Sequence, residues 1–503
     1  MSNWNFLFAH ADFESVLGTT YARFAPPVKA GLATFLEGLP ANEQSAILEL
    51  QAGLPPETTL SERLGALARQ CPVLHKLGQV LARDRRLSPE FRVQLRQLES
   101  LPPTIPVETI ESTLTRELGA VERLGVKLQP PLAEASVAVV VPFEVESPLP
   151  TGTPNQGVFK ILKPGIEERL EMELGLLGRV GEHLDQRCEE LGIPHVDYED
   201  AFREVKRKLI DEVDLTHEQK HLRQAQSFYA DDPGVQIPTL LDYSTPRVTA
   251  MERLFGEQIT EPVFENRKDR RQLAARIVKS LVADAVFSRS SDAMFHGDPH
   301  AGNLILTRDG RVGIHDWSLT GSLGEAERVA IVQLVLGAIT LDSKSIVTYL
   351  KKLDHSKTSN SEVLELVVDD WVARIRRGQF PGFTWLTGLF GDAVEKARLR
   401  FAPDLMLFRK SLHTLEGVIA DVSADSFRID EAMLIDFLRH FSQEWPRRWI
   451  TRPDSRDFAT RLSNFDISKL ALSYPSTFLR FWVGFIGNLV RNLKVPETSN
   501  DCN

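Results

Sequence analysis

Apolar positions in the first quarter of the chain recur at helical spacing. ERLGALARQ (Glu62–Gln70), LHKLGQVLARD (Leu74–Asp84) and ETIESTLTRELG (Glu108–Gly119) each set aliphatic residues three and four apart. Ser88-Pro89-Glu90 reads as a helix start, with Ser as cap and Pro in the first turn. LPPTIP (Leu101–Pro106) is a break. The pattern then changes. SVAVVVPFEV (Ser136–Val145) and GVFKIL (Gly157–Leu162) are β-rich runs joined by the turn-rich SPLPTGTPNQ, which predicts two antiparallel strands. After Pro164-Gly165, a long amphipathic helix is expected through Glu168–Leu191, and a second from about Tyr198 to Phe228. PTLLDYS (Pro238–Ser244) and PRVTAMERL (Pro246–Leu254) read as short strands. From Asp269 onward the chain reads as mostly helical, apart from one hairpin.

That hairpin carries the most informative chemistry. In FHGDPHAGNLILTRDGRVGIHDWS (Phe295–Ser318), NLILT reads as a strand, RDG as a turn and RVGIHD as a strand. Asn303 and Asp316 then fall side by side at its outer ends, where two ligands of one metal ion belong. Asp298 precedes them. An Asp that accepts a hydroxyl proton, an Asn that holds metal, and a second Asp on the Mg²⁺ of nucleotide phosphates form a phosphotransferase catalytic loop in that order. His296, Asp298 and His300 also spell H-x-D-x-H, a metal-hydrolase fragment. Pro299 prevents a helical His pair, however, and no further ligand cluster follows. His296 is expected to brace the loop, and His315 to face out of its strand.

Composition excludes several classes. The chain has 503 residues, enough for more than one folding unit, with 42% hydrophobic and 25% charged residues. A formal charge of −10 argues against a general nucleic-acid binder. Three dispersed cysteines, Cys71, Cys188 and Cys502, fit a reducing compartment and exclude a disulfide framework. The N-terminus has no secretory pattern, and no apolar run is long enough to span a bilayer. FWVGFIGNLV (Phe481–Val490), within a helix expected over 477–494, reads as a buried helix, with an interfacial anchor as the other reading.

A phosphotransferase also needs a cation on the nucleotide phosphates. Lys160 lies inside the apolar strand GVFKIL, where a lysine is costly without a partner. Two acids in DEVDLTHEQ qualify, Glu212 and Glu218. Neither G-x-G-x-x-G nor G-x-x-x-x-G-K precedes Lys160; PLAEASVAVV (Pro131–Val140) stands there instead.

With these pieces in order, the chain resembles the UbiB/AarF family of atypical kinases. KLGQ (Lys76–Gln79) matches its K-x-G-Q motif and AEAS (Ala133–Ser136) its alanine-rich loop. VFKILKPG matches its lysine strand, EVD (Glu212–Asp214) its E-x-D motif, and HGDPHAGN with HDWS its catalytic loop. FAPDLMLFRKSLHTLEGV (Phe401–Val418) is similar to its C-terminal helices. The resemblance implies an α+β, two-lobed protein kinase-like fold, mostly helical, with N- and C-terminal helical extensions. The expected division is 1–125 (extension with K-x-G-Q), 126–255 (N-lobe), 256–345 (catalytic core) and 346–503 (C-terminal helices). It implies ATP and Mg²⁺ as cofactors, with Asp298, Lys160 and Glu218 catalytic and Asn303 and Asp316 on metal. Lys160, Ala133, Ala135, Ser136, Glu252, Leu254, Lys76, Gln79 and Glu212 are the implied nucleotide-site residues. Lys76 would lie near Glu212 and, with Gln79, fold over the cleft. A small-molecule or lipid substrate is implied, in isoprenoid quinone or lipid metabolism. The expected location is cytoplasmic, with peripheral contact at the inner face of a membrane included.

Three departures stand out. Glu134 puts an acid in the alanine loop, which predicts repulsion of phosphates unless its carboxylate turns away. The position after the metal Asp reads Trp317-Ser318, without the glycine. The Ser147–Gln156 connection is long. A small-molecule kinase of aminoglycoside or choline type shares the HGD and DW idiom but lacks KLGQ and EVD. A nucleotide-binding pseudokinase scaffold is the remaining alternative.

Overall fold

A computed structural model describes residues 4, 8, 11–82, 86–99, 103–119, 125–145, 156–193, 210, 213–262, 264, 266–356 and 360–472. Glu212, the start of the second long helix, the 146–155 connection and the expected 477–494 helix lie outside the described residues. The chain forms two compact units: Met1–Arg223 with Thr239–Arg253, and Gln224–Pro238 with Leu254–Asn503. The fold is α+β, as expected from the sequence. Among the described residues, no helix is long and apolar enough to cross a membrane.

In the first unit, helices Ala25–Glu37, Leu60–Gln70 and Pro72–Leu81 pack with Ile166–Gln186 around one apolar core that includes Phe35, Leu67, Val73, Leu170, Leu174 and Val180. Ser88 caps the helix Pro89–Arg96 through Phe91 N, at 3.3 Å. The KLGQ helix, Pro72–Leu81, has no side-chain cap of its own. Glu173, fully buried, supplies one: it accepts from Val73 N at 2.9 Å and from Arg169 Nε at 3.1 Å. Burial pushes its carboxyl up to about 7 against the pull of those donors.

The sheet of this unit comprises β1 (Val126–Leu128), β2 (Ala133–Glu134), β3 (Ala138–Val145), β4 (Gln156–Leu162) and β6 (Val248–Glu252), in the order β1-β3-β4-β6 with β2 also on β3. The pairings are antiparallel. Register decides which side chains share a face. Ala133, Val140, Lys160 and Thr249 form one cross-strand row; Glu134, Val139, Ile161 and Val248 form the next, on the opposite face. The second face takes Ile110 and Leu114 of the helix Val107–Leu118, with Phe143 stacked on Phe159 at 4.2 Å between centroids. Burial of this kind is worth about 1.5–3 kcal/mol per large apolar side chain.

PTLLDYS is not the regular strand expected. It makes only an isolated bridge, Leu240 to Met251, because Leu241 N and Thr245 N bond back to β6 across a tight loop.

The second unit holds β5 (Val235–Gln236), β7 (Gly256–Gln258), β9 (Leu304–Thr307) and β10 (Val312–Ile314), ordered β5-β10-β9-β7. The expected hairpin is β9–β10, with Gly310 at φ 81° in its turn. Missed in the sequence is a second ribbon, β8 (Asp292–His296) paired antiparallel with β11 (Thr320–Gly324). Each of its strands is short and the two are separated in sequence, so neither carries a local hairpin signal. Helices Arg267–Val278, Glu325–Thr340, Phe383–Glu395, Pro403–Ser423 and Ile429–Arg448 build the rest.

Candidate active site

In the first unit, Lys160 Nζ lies 2.7 Å from Glu218 Oε2. Of the two acids the sequence left open, Glu218 is the one seen beside it. Glu218 sits one turn into the helix Leu215–Phe228, which starts at Asp214: that carboxylate accepts from Thr216 N at 2.9 Å and Thr216 Oγ1 at 2.6 Å. These bonds hold the Asp214 carboxyl below its ordinary pKa. The adjacent Gln219 sets the helix rotation, with Nε2 at 2.8 Å from Thr245 O and 3.1 Å from Thr249 Oγ1. The Glu218 side chain is 6% exposed and that of Lys160 18%, so each charge depends on the other.

AEAS closes as a tight turn, with Ala135 N donating to Ala138 O at 2.8 Å and Ser136 buried. Ala133 shares the Lys160 row. Glu134 does not: it projects from the opposite face. Its Oε1 lies 2.7 Å from Lys163 Nζ, and Oε2 accepts from Thr104 N at 2.6 Å and Thr104 Oγ1 at 2.9 Å. Burial works to raise its pKa, but the ammonium and the two donors prevail and hold it below the usual carboxylate value. Of the two outcomes that the sequence leaves open for Glu134, the structure shows the second. The acid turns away and is neutralised by Lys163.

Gln79 Nε2 donates to Leu98 O at 2.8 Å, the same carbonyl that His75 Nε2 approaches at 2.7 Å. Its amide nitrogen is thus engaged inside the extension. Lys76 is half-buried on the same helix. Glu252 accepts from Thr239 N at 3.1 Å and Thr239 Oγ1 at 3.0 Å. Leu254 belongs to the second unit and lies over Gly313 of β10, where an added Cβ would come within 3.1 Å of its Cδ1.

The second unit carries an acidic group of its own. His296 ends β8, fully buried. Its Nδ1 accepts from Asp298 N at 3.2 Å, which leaves the proton on Nε2, directed to Asp316 O at 3.0 Å. Burial pushes its pKa down despite the nearby Asp316 and Asp298, so the ring is neutral. This one side chain ties the backbone at Asp298 to the backbone at Asp316, the bracing role expected for it. With both ring nitrogens committed, His296 is unavailable as a metal ligand, which removes the H-x-D-x-H alternative.

Asn303 Nδ2 donates to Asp298 O at 3.1 Å, and His315 N donates to Asn303 O at 3.1 Å. The first bond orients the Asn303 side chain; the second sets Asp316 one residue beyond the paired end of the hairpin. Asp316 adopts φ 58°, a left-handed conformation that Asp tolerates better than most residues. Ser318 is not among the positive-φ residues, so this conformation does not require glycine there. Trp317 fills the site below, its ring 4.9 Å from His296 and 6.1 Å from Tyr229, with Nε1 donating to Ile314 O at 3.2 Å.

Asn303 and Asp316 supply an amide oxygen and a carboxylate. These hard oxygen donors suit Mg²⁺, which draws its remaining ligands from water and phosphate. Among the described residues, no group of three or more His, Cys, Asp or Glu is arranged to hold a metal ion alone. Residues that sequence reasoning missed include Gln219, Lys163, Thr104 and Ser411. Ser411 Oγ, on the helix Pro403–Ser423, donates to His296 O at 2.8 Å.

A family model described as the ABC1 atypical kinase-like domain matches residues 97–350. A probable protein kinase UbiB of Marinobacter nauticus is 26% identical over 419 residues, covering 78% of this chain and 72% of that one. An uncharacterized chloroplastic aarF domain-containing protein kinase of Arabidopsis thaliana is 28% identical over 334 residues, 61% of this chain and 58% of that one. A solved Mycobacterium tuberculosis protein, Rv3197 in complex with erythromycin, aligns with a TM-score of 0.47 at 19% identity over 76% of this chain and 95% of that one.

Proposed function

Because the chain belongs to the ABC1 atypical kinase-like family, we propose that it is an ATP- and Mg²⁺-using phosphotransferase or ATPase of the UbiB type. The observation that carries this reading is the loop Asp298–Asn303–Asp316 held by one neutral histidine. Asn303 and Asp316 would hold Mg²⁺, which when bound supplies positive charge to the phosphate oxygens. Lys160, fixed by Glu218, would contact the α- and β-phosphates, with Ala133, Ala135 and Ser136 lining that region. Asp298 takes the proton of the attacking hydroxyl or water. That oxygen's lone pair forms the new bond to the γ-phosphorus, while the bond to the bridging oxygen breaks and its electron pair leaves with ADP. Rate acceleration comes from position and charge rather than covalent catalysis. The resemblance favours a small-molecule or lipid acceptor in quinone or lipid metabolism.

The test is Mg²⁺-dependent phosphate release from ATP by the full chain and by Asp298→Asn. Turnover should fall by at least about 10²-fold in the variant, with the nucleotide-induced rise in Tm retained. Unchanged turnover in Asp298→Asn would refute the assignment.

A further inference from the structure

The helix Ile429–Arg448 of the second unit buries one face and leaves another uncovered. Ile429, Ala432, Met433, Asp436, Glu444 and Arg448 turn inward. Leu434, Leu438, Phe441, Trp445 and Trp449 follow one another at intervals of three and four, so they share a separate stripe. Its rings form a ladder that begins at Phe437. Phe437 and Phe441 stack at 6.0 Å between centroids, Phe441 and Trp445 meet at 5.6 Å, and Trp445 and Trp449 at 5.9 Å. Phe287 and Arg448 support the ladder from the inner side. Outside, nothing covers it: Leu434, Ile435, Leu438 and Trp445 are about half exposed, Trp449 is 76% exposed and Ile450 87%. At roughly 150–250 Å² per fully exposed side chain, these residues present on the order of 600 Å² of apolar surface, a patch large enough to mark an interaction site.

Charge beside the stripe says what covers it. Ile435 also lines an open cavity of about 650 Å³, together with Phe427, Arg267, Lys268 and Arg271. Arg271 is committed to Glu431, at 2.7 Å. Arg267 and Lys268 are exposed and have no hydrogen bond or ion pair among the described residues. They stand in the first turn of the helix Arg267–Val278, where the helix dipole disfavours cations. The cap there is made by Asn266, whose Oδ1 accepts from Asp269 N at 2.8 Å. The two cations therefore do nothing for the helix that bears them. At the far end of the stripe Arg447 and Arg452 are neutralised by Asp457 and Asp454, at 2.9 and 3.2 Å. Uncompensated positive charge thus collects at the Ile435 end.

We propose that this face of the second unit docks on an anionic lipid surface, with the helix Ile429–Arg448 lying along it. The proposal stands independently of the phosphotransferase reading. Each feature has its place in such a surface. Arg267 and Lys268 meet headgroup phosphates, and Leu434, Ile435, Leu438 and Ile450 enter the boundary with the acyl chains. The indole N–H groups of Trp445 and Trp449 have no partner among the described residues; at headgroup level each would find an acceptor while its ring stays in apolar surroundings. The chain's formal charge of −10 opposes approach to an anionic surface, so attachment depends on this local patch.

The full chain would be sedimented with vesicles of phosphatidylcholine alone and of phosphatidylcholine mixed with phosphatidylglycerol. Beside it would stand two double variants, Trp449→Ser with Ile450→Ser and Arg267→Gln with Lys268→Gln. All four positions are exposed, so Tm should hold. The wild type should prefer the anionic vesicles, and salt should weaken its binding. The apolar variant should lose at least about tenfold in affinity for both vesicle types. The charge variant should lose about fivefold per cation, on the anionic vesicles only. Brominated acyl chains should quench wild-type tryptophan fluorescence, and Trp445→Phe with Trp449→Phe should remove that quenching. Undiminished binding by the apolar variant, or quenching that survives in the phenylalanine variant, would place attachment elsewhere in the chain, at Phe481–Val490 for example, and overturn the proposal. Absence of wild-type binding to either vesicle would also overturn it. So would sedimentation velocity showing that the apolar variant loses self-association while vesicle binding is unchanged, since the stripe would then join two copies of this chain.

Discussion

Replacing Glu134 by alanine removes a carboxylate that accepts three hydrogen bonds, from Lys163 Nζ at 2.7 Å, Thr104 N at 2.6 Å and Thr104 Oγ1 at 2.9 Å. Glu134 is 7% exposed, so its partners lose a buried counter-charge. Breaking a buried pair by deleting one member costs about 3–5 kcal/mol, and a single bond to a charged group about 1.5–3 kcal/mol. The Lys163 side chain is 20% exposed and regains some water, which places the expected loss near the lower bound, about 2–3 kcal/mol. Urea unfolding of Glu134→Ala, Lys163→Met and the double variant would separate the pair from its neighbours; a coupling of about 1.5–3 kcal/mol is expected. The pH dependence has a definite sign. The folded pKa lies below the unfolded value, so the contribution is present above the ordinary carboxylate range and is lost as pH falls through the folded pKa. The difference between wild type and Glu134→Ala should therefore shrink in acid. A Glu134→Ala protein within about 0.5 kcal/mol of wild type at neutral pH, or additive single effects, would refute this account of the Glu134–Lys163 pair.

Two more variants probe the acidic group of the second unit. Gly297→Ala would set a Cβ 2.9 Å from Leu319 Cγ and 3.0 Å from Leu319 O and Leu407 Cδ2, so thermal denaturation should show a loss of about 1–3 kcal/mol; an unchanged Tm would show that the helix and loop can separate freely. Asp316→Asn should keep its Tm, because Asn tolerates the left-handed backbone at φ 58°, while Asp316→Val should lose about 1–2 kcal/mol. Both should lose Mg²⁺-dependent turnover, and Mg²⁺ titration of ATP hydrolysis checks it.

Local patterns made some of this legible and left the rest hidden. The β9–β10 hairpin was readable because its turn, alternation and flanking polar residues are contiguous. Ser88 was readable as a cap for the same reason. The ion pair of Lys160 and Glu218 was legible as one of two options, since an apolar strand cannot hold an unpaired lysine. The direction of Glu134 stays open in the sequence because it depends on strand register, and β2 is too short for alternation to reveal a face. The β8–β11 ribbon and Ser411 depend on pairings across 24 residues or more, for which one sequence offers no local signal. Gln219 was in view beside Glu218, but nothing in its neighbourhood announces three backbone and side-chain acceptors converging on it.

The strand register described for the first unit has a consequence for how this chain can vary. Its sheet sorts charge by odd and even position: Lys160 shares a row with Ala133, while Ile161 shares one with Glu134. Residues inserted or removed between β3 and β4, outside the paired positions, leave that parity untouched, and so the connection is free to drift in length. A one-residue slip of β4 against β3 and β6 would exchange the two faces. The ammonium would then be driven into the aromatic layer of Phe143 and Phe159, and an apolar side chain would be offered to Glu218. Length changes are thus accommodated in the connection and not within the strand that carries this lysine.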